Sequence, residues 1–304
     1  MESHEELRPY LFAIAYRMLG SVAEAEDVVQ EAFLRYHAAD AEAEAECPKA
    51  YLAAVTTRLA IDELRSARKR REVYPGEWLP EPLVDDETAR HAEMSDSLSL
   101  TFLHLLEKLS PVERAVFLLR EVFDYPYDEV AEIVGKTPVN TRQILARAHS
   151  HISEGRRRFE VSREERDEVA TRFLAAWEDG EVDALVEVLA PDATVFGDGG
   201  GKGPGMPAPL VGAERVAKAL IGWGRQARER GLTYRRALVN GDPGVVFYEP
   251  DGSALWVAAL EIADGVVVAV RSVLNPDKLG HVAPRSLCAR PESASADSGR
   301  AADA

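Results

Sequence analysis

Apolar residues recur at three- and four-residue steps through most of this chain's first half, and the step shortens to two near its end. Leu7, Leu11, Ile14 and Met18 form one helical stripe closed by Gly20. Ser21 and Glu24 have the spacing of a capping box, which predicts a second helix to about residue 36. An acidic Ala/Glu stretch follows, and Pro48 opens a third helix with Leu52, Val55 and Leu59 on its buried side. Residues 7–71 therefore read as all helix. Pro75, Gly76, Pro80 and Pro82 forbid a continuous helix in the next segment, which reads as a linker. Helical spacing returns with Phe102, Leu105, Leu106 and Leu109, and Ser110, Pro111 and Glu113 supply another box-like start.

Residues 127–158 read as a helix-turn-helix. The short first helix stops at Gly135, suited to a left-handed cap, and Thr137 with Pro138 starts the second. On that second helix Thr141, Leu145, Ala148 and Ile152 share one face, leaving Asn140, Arg142, Gln143 and Arg147 free to meet something outside. Such side chains can fork onto base edges in a major groove. An ordinary amphipathic hairpin with a solvated face would show the same pattern.

After residue 162 the character changes again. A helix over 163–178 carries Val169, Phe173 and Trp177 and ends at Gly180; a short helix over 182–189 and a glycine-rich loop follow, then a helix over 212–230. Alternating or apolar runs over 233–239, 245–249, 255–262 and 266–273 predict strands, with Asp264-Gly265 as a hairpin turn. Helices first and a strand meander afterwards indicate an α+β domain. The tail beyond residue 285 has too little apolar content to fold. The fold class is thus multidomain: two all-α units, then one α+β unit. The boundaries are 1–72, a linker over 73–96, 97–160, 163–283 and a tail over 284–304.

Charge refines this picture. The net charge of −16 argues against whole-surface adhesion to nucleic acid or an anionic membrane. Two local patches run against it: six basic residues against two acidic over 56–71, and six against one over 136–158. They suggest local binding of a polyanion. Arg58, Asp62, Arg65 and Lys69 recur on one predicted exposed ridge. Cys47 and Cys288 lack metal-ligand neighbours, no metal site or cofactor is expected, and neither a signal peptide nor a membrane span is legible. The expectation is a cytoplasmic, monomeric protein.

These blocks carry a resemblance. Residues 7–158 resemble the two helical regions of bacterial extracytoplasmic-function (ECF) sigma factors. The segment Glu26-Asp27-Val28-Val29-Gln30-Glu31-Ala32-Phe33 is similar to that family's polymerase-binding helix. The resemblance implies core RNA polymerase and promoter DNA as partners. It places Asp27, Gln30, Glu31 and Leu34 on polymerase, and Arg58, Asp62, Arg65, Ser66, Arg68 and Lys69 at the −10 element. Asn140, Arg142, Gln143 and Arg147 then read the −35 element. Physically, Leu34 ringed by acceptors suits a basic partner, and the arginine ridge suits phosphate.

The third unit resembles a SnoaL-like domain of the nuclear-transport-factor-2-like superfamily, in which a curved sheet and helices enclose a cone. Three short segments, Trp78-Leu79-Pro80-Glu81-Pro82, Asp198-Gly199-Gly200-Gly201-Lys202 and Asn275-Pro276-Asp277-Lys278-Leu279, resemble the sigma-factor group that carries this domain as a built-in regulator. The resemblance implies that they meet, with the third domain acting on the first two in cis. The glycine loop fails as a phosphate loop, since Phe196 and Gly203 stand where Gly and Ser or Thr are required. It reads instead as a mobile loop whose Asp198 and Lys202 meet the linker or the helical units. No catalytic residue is expected, although Asp198 and Glu261 are conceivable bases and a small ligand in the cone stays open. The rival readings are a ligand-binding helix-turn-helix regulator and a cyclase- or isomerase-like enzyme.

Overall fold

The computed structural model describes residues 4–38, 47–84, 99–152, 162–203, 205–206 and 208–284. The terminal tail, Cys288 and the arginines at 156–158 lie outside the described residues. Among the described residues, seven helices form the first two units: α1 (His4–Leu19), α2 (Val22–Ala38), α3 (Pro48–Arg71), α4 (Leu100–Leu106), α5 (Pro111–Glu121), α6 (Tyr127–Val134) and α7 (Pro138–Ile152). Their ends follow local chemistry. The α1 helix stops where Gly20 turns left-handed, at φ +68°. Both halves of the Ser110/Glu113 capping box are present on α5. At α7 the Asn140 N–H donates to Thr137 Oγ1 at 3.2 Å.

Two expectations are corrected. At α2 the Glu24 N–H donates to Ser21 Oγ, yet Glu24 does not close the box. Its carboxylate takes Arg70 instead, and a linker residue, Glu81, accepts from Val22 N–H at 2.7 Å and from Ser21 Oγ at 2.8 Å. The third helix does not bury one narrow stripe. Ala53, Thr56, Thr57, Ala60, Ile61, Leu64 and Ala67 are buried with Leu52, while Val55 and Leu59 are only half-buried, because α1, α2, α5 and α6 all pack on α3. The two helical units accordingly share one continuous apolar core.

The third unit comprises α8 (Arg163–Asp179), α9 (Val182–Glu187), β1 (Leu189–Asp198), β2 (Leu210–Val211), α10 (Ala213–Glu229), β3 (Thr233–Val239), β4 (Asp242–Tyr248), β5 (Ala254–Ala263) and β6 (Val266–Val273), with a 3-10 turn at Pro276–Lys278. The sheet order is β2-β1-β6-β5-β4-β3. The predicted meander is present, but β6 also closes against β1 in parallel, which local alternation could not show. Asp264 and Gly265 both have positive φ, as a type I′ turn requires. One face of the sheet packs on α8 and α10 through Trp177, Phe247, Trp256 and Leu260. The other face, with Val246, Val257 and Val273, is covered by Leu79 and Val84 of the linker and Leu100 of α4. Both faces are thereby buried.

Candidate functional site

The linker is the centre of the molecule. Residues 74–84 contact the first helical unit on one side and the third unit on the other. Toward the helices, Tyr16 Oη donates to the Glu81 carbonyl at 2.5 Å and Glu81 N–H donates to Gly20 O at 2.8 Å. The Trp78 ring lies so close to Gly20 that a Cβ there would meet it at 2.9 Å. Toward the third unit, Leu83 N–H donates to Asn240 Oδ1 at 2.9 Å, and Asn240 N–H donates back to Leu83 O at 2.8 Å. Asn240 Nδ2 also donates to Tyr16 Oη, so one residue joins all three segments. His281 Nε2 bonds the Pro82 carbonyl at 2.8 Å.

Asp198, with no exposed surface, organises the contact. Oδ1 accepts from Tyr74 Oη at 2.6 Å; Oδ2 accepts from Leu79 N–H at 2.8 Å and from Lys278 Nζ at 2.7 Å. Lys278 also donates to the Leu79 carbonyl, and its Nζ lies 4.2 Å from the Trp78 ring centroid. The Arg71 guanidinium sits over that same ring at 3.5 Å. Burial draws the Lys278 ammonium down to about 8, against the attraction of Asp198. Burial and the Asp198 bond both push the Tyr74 phenol up. Gly200, at φ +59°, packs so tightly on Asn275 and Tyr74 that any side chain would collide. Asn275 Nδ2 in turn donates to Tyr74 Oη at 2.8 Å.

The three short segments thus converge on one place, with one exception. Lys202 does not reach the linker or the helices; it forms an exposed pair with Asp277 at 2.6 Å. The rest of that segment does touch the linker, Asp198 through Tyr74 and Leu79, Gly200 through Tyr74 and Gly201 through Pro75.

The α2 face is open: Asp27 and Gln30 are exposed, Leu34 is 57% exposed, and Glu31 pairs with Arg35 at 2.7 Å. The α3 ridge is exposed at Arg58, Asp62 and Arg65, yet its arginines are already engaged. Arg58 donates to the carbonyls of Ile133 and Glu132 at 3.0 and 3.1 Å, closing the end of α6. Arg68 donates to Glu107 O at 3.0 Å. Arg65 pairs with Asp62, and Ser66 Oγ accepts from Arg70. The Lys69 side chain lies outside the described residues. Beneath the ridge, burial pushes Glu107 up, but Arg114 and Arg71 overcome it and hold the carboxyl below its usual range. On α7, Arg142, Gln143 and Arg147 are exposed and Asn140 half-buried. The Arg142 guanidinium stacks 4.7 Å above the Tyr127 ring, and Arg147 approaches Glu113 at 3.7 Å.

The cone interior holds a cavity of about 220 Å³ between α10 and the sheet. Neither conceivable base lines it. Asp198 is committed to the linker; Glu261, on the opposite sheet face, takes Arg271 at 3.0 Å and Thr101 Oγ1 at 2.8 Å.

Residues 4–70 match the Sigma-70 region 2 model, 99–152 the Sigma-70 region 4 model, and 170–274 the SnoaL-like domain model. The chain is 36% identical over 289 residues to the ECF RNA polymerase sigma factor SigJ of Mycobacterium tuberculosis, covering 90% of this chain and 91% of SigJ. This chain belongs to the ECF RNA polymerase sigma factors. It is also 31% identical to the probable ECF sigma factor SigI of the same species, over 90% of this chain and 92% of SigI. The crystal structure of SigJ superposes with a TM-score of 0.75 at 33% identity, covering 91% of this chain and 96% of that one.

Within this sigma factor, α1–α3 are region 2, α4–α7 are region 4, and the linker between them is an irregular segment pinned on the SnoaL-like sheet, with a single bridge from Val84 to Val239. Sequence reasoning missed Tyr74, Asn240 and His281. Asn240-Gly241 is itself an Asn-Gly turn between two apolar runs, and that signal could have marked the β3–β4 hairpin. Nothing local marked its second task on the linker. No described helix is long and apolar enough to cross a membrane.

Proposed function

We propose that this sigma factor recruits core RNA polymerase through Asp27, Gln30, Glu31 and Leu34 and reads promoter DNA through α3 and α7. In the docked state the SnoaL-like domain restrains both helical regions by holding the linker. The observation that carries the reading is Asp198: a wholly buried carboxylate whose side-chain partners are Tyr74 and Leu79 of the linker and Lys278 of the terminal segment. A second observation favours restraint over passive packing. Arg58 and Arg68, expected to contact DNA phosphates, both bond carbonyls of region 4, so phosphate must displace those contacts. Tethering lets weak contacts suffice, because the linker stays at high effective concentration.

The SnoaL-like domain acts as a regulator and performs no catalysis. Asp198 and Glu261 are spent on interdomain bonds, which supports this. The helix-turn-helix regulator alternative would leave α2 without a task, although Leu34 is presented to solvent there.

Run-off transcription with core polymerase tests the proposal, comparing the full chain with one ending at residue 274. Higher output from the shorter chain is expected. Unchanged output from a folded short chain would remove the terminal segment from control.

A further inference from the structure

The polar side chains of α7 leave the middle of their own helix face to be explained. Val139, Arg142, Gln143, Ala146, Arg147 and Ser150 recur there at three- and four-residue steps, and all are exposed. At about 100° per residue, Val139 lies in the middle of that stripe, with Arg142 to one side and Gln143 and Arg147 to the other. Asn140, one residue on, is turned away from the middle and is half-buried. The centre of the basic face is thus apolar.

Val139 is 64% exposed and stands outside the apolar core of the helical units. Neither packing nor helix formation accounts for it. Valine is a poorer helix former than alanine. The buried side of α7 is already supplied by Thr141, Ile144, Leu145, Ala148 and Ile152. The position is also well fixed. The Thr137 hydroxyl caps the turn that carries Val139, and the Arg142 guanidinium stacks 4.7 Å above the Tyr127 ring of α6. The first residues of a recognition helix are those that meet base edges. Ala146, two turns along, ends at its β-carbon and reaches less far.

The chemistry of the major groove narrows what an isopropyl group can meet. The ring-nitrogen and carbonyl acceptors and the amino donors of the bases would lose water to it and gain no hydrogen bond. The thymine C5-methyl is the apolar group presented there. We propose that Val139 is a specificity-determining residue that selects thymine at one −35 position through this methyl, while Arg142 and Gln143 serve the neighbouring base pairs. The inference rests on the reading of α7 as the −35 reader and adds what stands at its centre.

Holoenzyme assembled from the full chain and core polymerase first selects duplexes from a pool randomised across the −35 element. Each thymine of the selected element is then replaced in turn by deoxyuridine, which removes the methyl and keeps the base pairing. Electrophoretic titration should show one replacement that weakens the parent about fourfold, the worth of one buried methyl group. Val139→Ala should bind the thymine and uracil duplexes equally at that position, with its melting temperature unchanged or higher. A selected element without thymine, a parent indifferent to every replacement, or discrimination that survives Val139→Ala would overturn the proposal. So would weaker binding of Val139→Ala to core polymerase without DNA, which would assign the valine to a protein surface. A pool that yields no −35 preference at all marks failure of the α7 reading; a sharp preference with no methyl effect marks failure of this inference alone.

Discussion

The ammonium of Lys278 lies 2.7 Å from Asp198 Oδ2, and the two side chains are 8% and 0% exposed. A pair so far from water is costly to form and more costly to break, because either partner left alone is an uncompensated buried charge. Asp198→Asn should therefore weaken linker docking by about 3–5 kcal/mol and raise run-off transcription. Adding Lys278→Met should recover part of the lost stability, since no lone charge then remains. A double variant no more stable than the single one would show that the pair's charge is not what holds the linker.

Asp242 gives a pH dependence. Burial pushes its carboxyl up to about 7, with Arg166, 3.4 Å away, pulling in the opposite direction. Between about pH 4 and 7 the folded protein keeps a proton that the unfolded chain releases, so this residue's contribution to stability falls as pH rises across that window. Asp242→Asn should raise the thermal midpoint at pH 8 relative to the parent, and the difference should shrink toward pH 4. A difference independent of pH would mean that Asp242 is ionised throughout in the folded state.

Arg142→Ala and Arg147→Ala should each cost about 1–3 kcal/mol of promoter affinity if they fork onto bases. Polymerase binding should be unaltered, as both side chains belong to α7 and not to the α2 face. Electrophoretic titration on matched and scrambled −35 sequences checks this. Equal loss on both sequences would assign these arginines to phosphate alone.

Charge reversal at Asp27 and Glu31 should abolish competition with another sigma factor for core polymerase. Folding should survive, because the buried side of α2 is Ala25, Val28, Val29 and Ala32. Circular dichroism of the variant together with the competition assay separates the two effects. A well-folded variant that still competes would take this face out of the interface.

Helical periodicity and caps made the element order legible: Gly20, Gly135 and the Ser110/Glu113 box stand where the sequence puts them. The strands were legible from alternation and from Asp264-Gly265. The parallel pairing of β1 with β6 was not, because Thr194 and Ala269, far apart along the chain, become neighbours only in the folded sheet. Nor was the cap of α2, where Glu81 displaces Glu24 from across the fold. The α3 ridge is solvent-facing at Arg58, Asp62 and Arg65, as the spacing implies, but helical spacing records one helix at a time and could not show that carbonyls of α6 take Arg58. The segments around Trp78, Asp198 and Asn275 stood out because neither helix nor strand explains them; their meeting point required the folded chain.

If docking restrains both helical regions, a docked linker and a promoter-engaged sigma factor exclude one another. The N–H groups of Leu79 and Leu83 report docking directly, since each donates to a side chain of the SnoaL-like domain, Asp198 and Asn240. Hydrogen exchange at these two amides should be measured in the free protein and in the complex with core polymerase and promoter DNA. The account predicts strong protection in the free protein and fast exchange in the complex. Equal protection in both would contradict it.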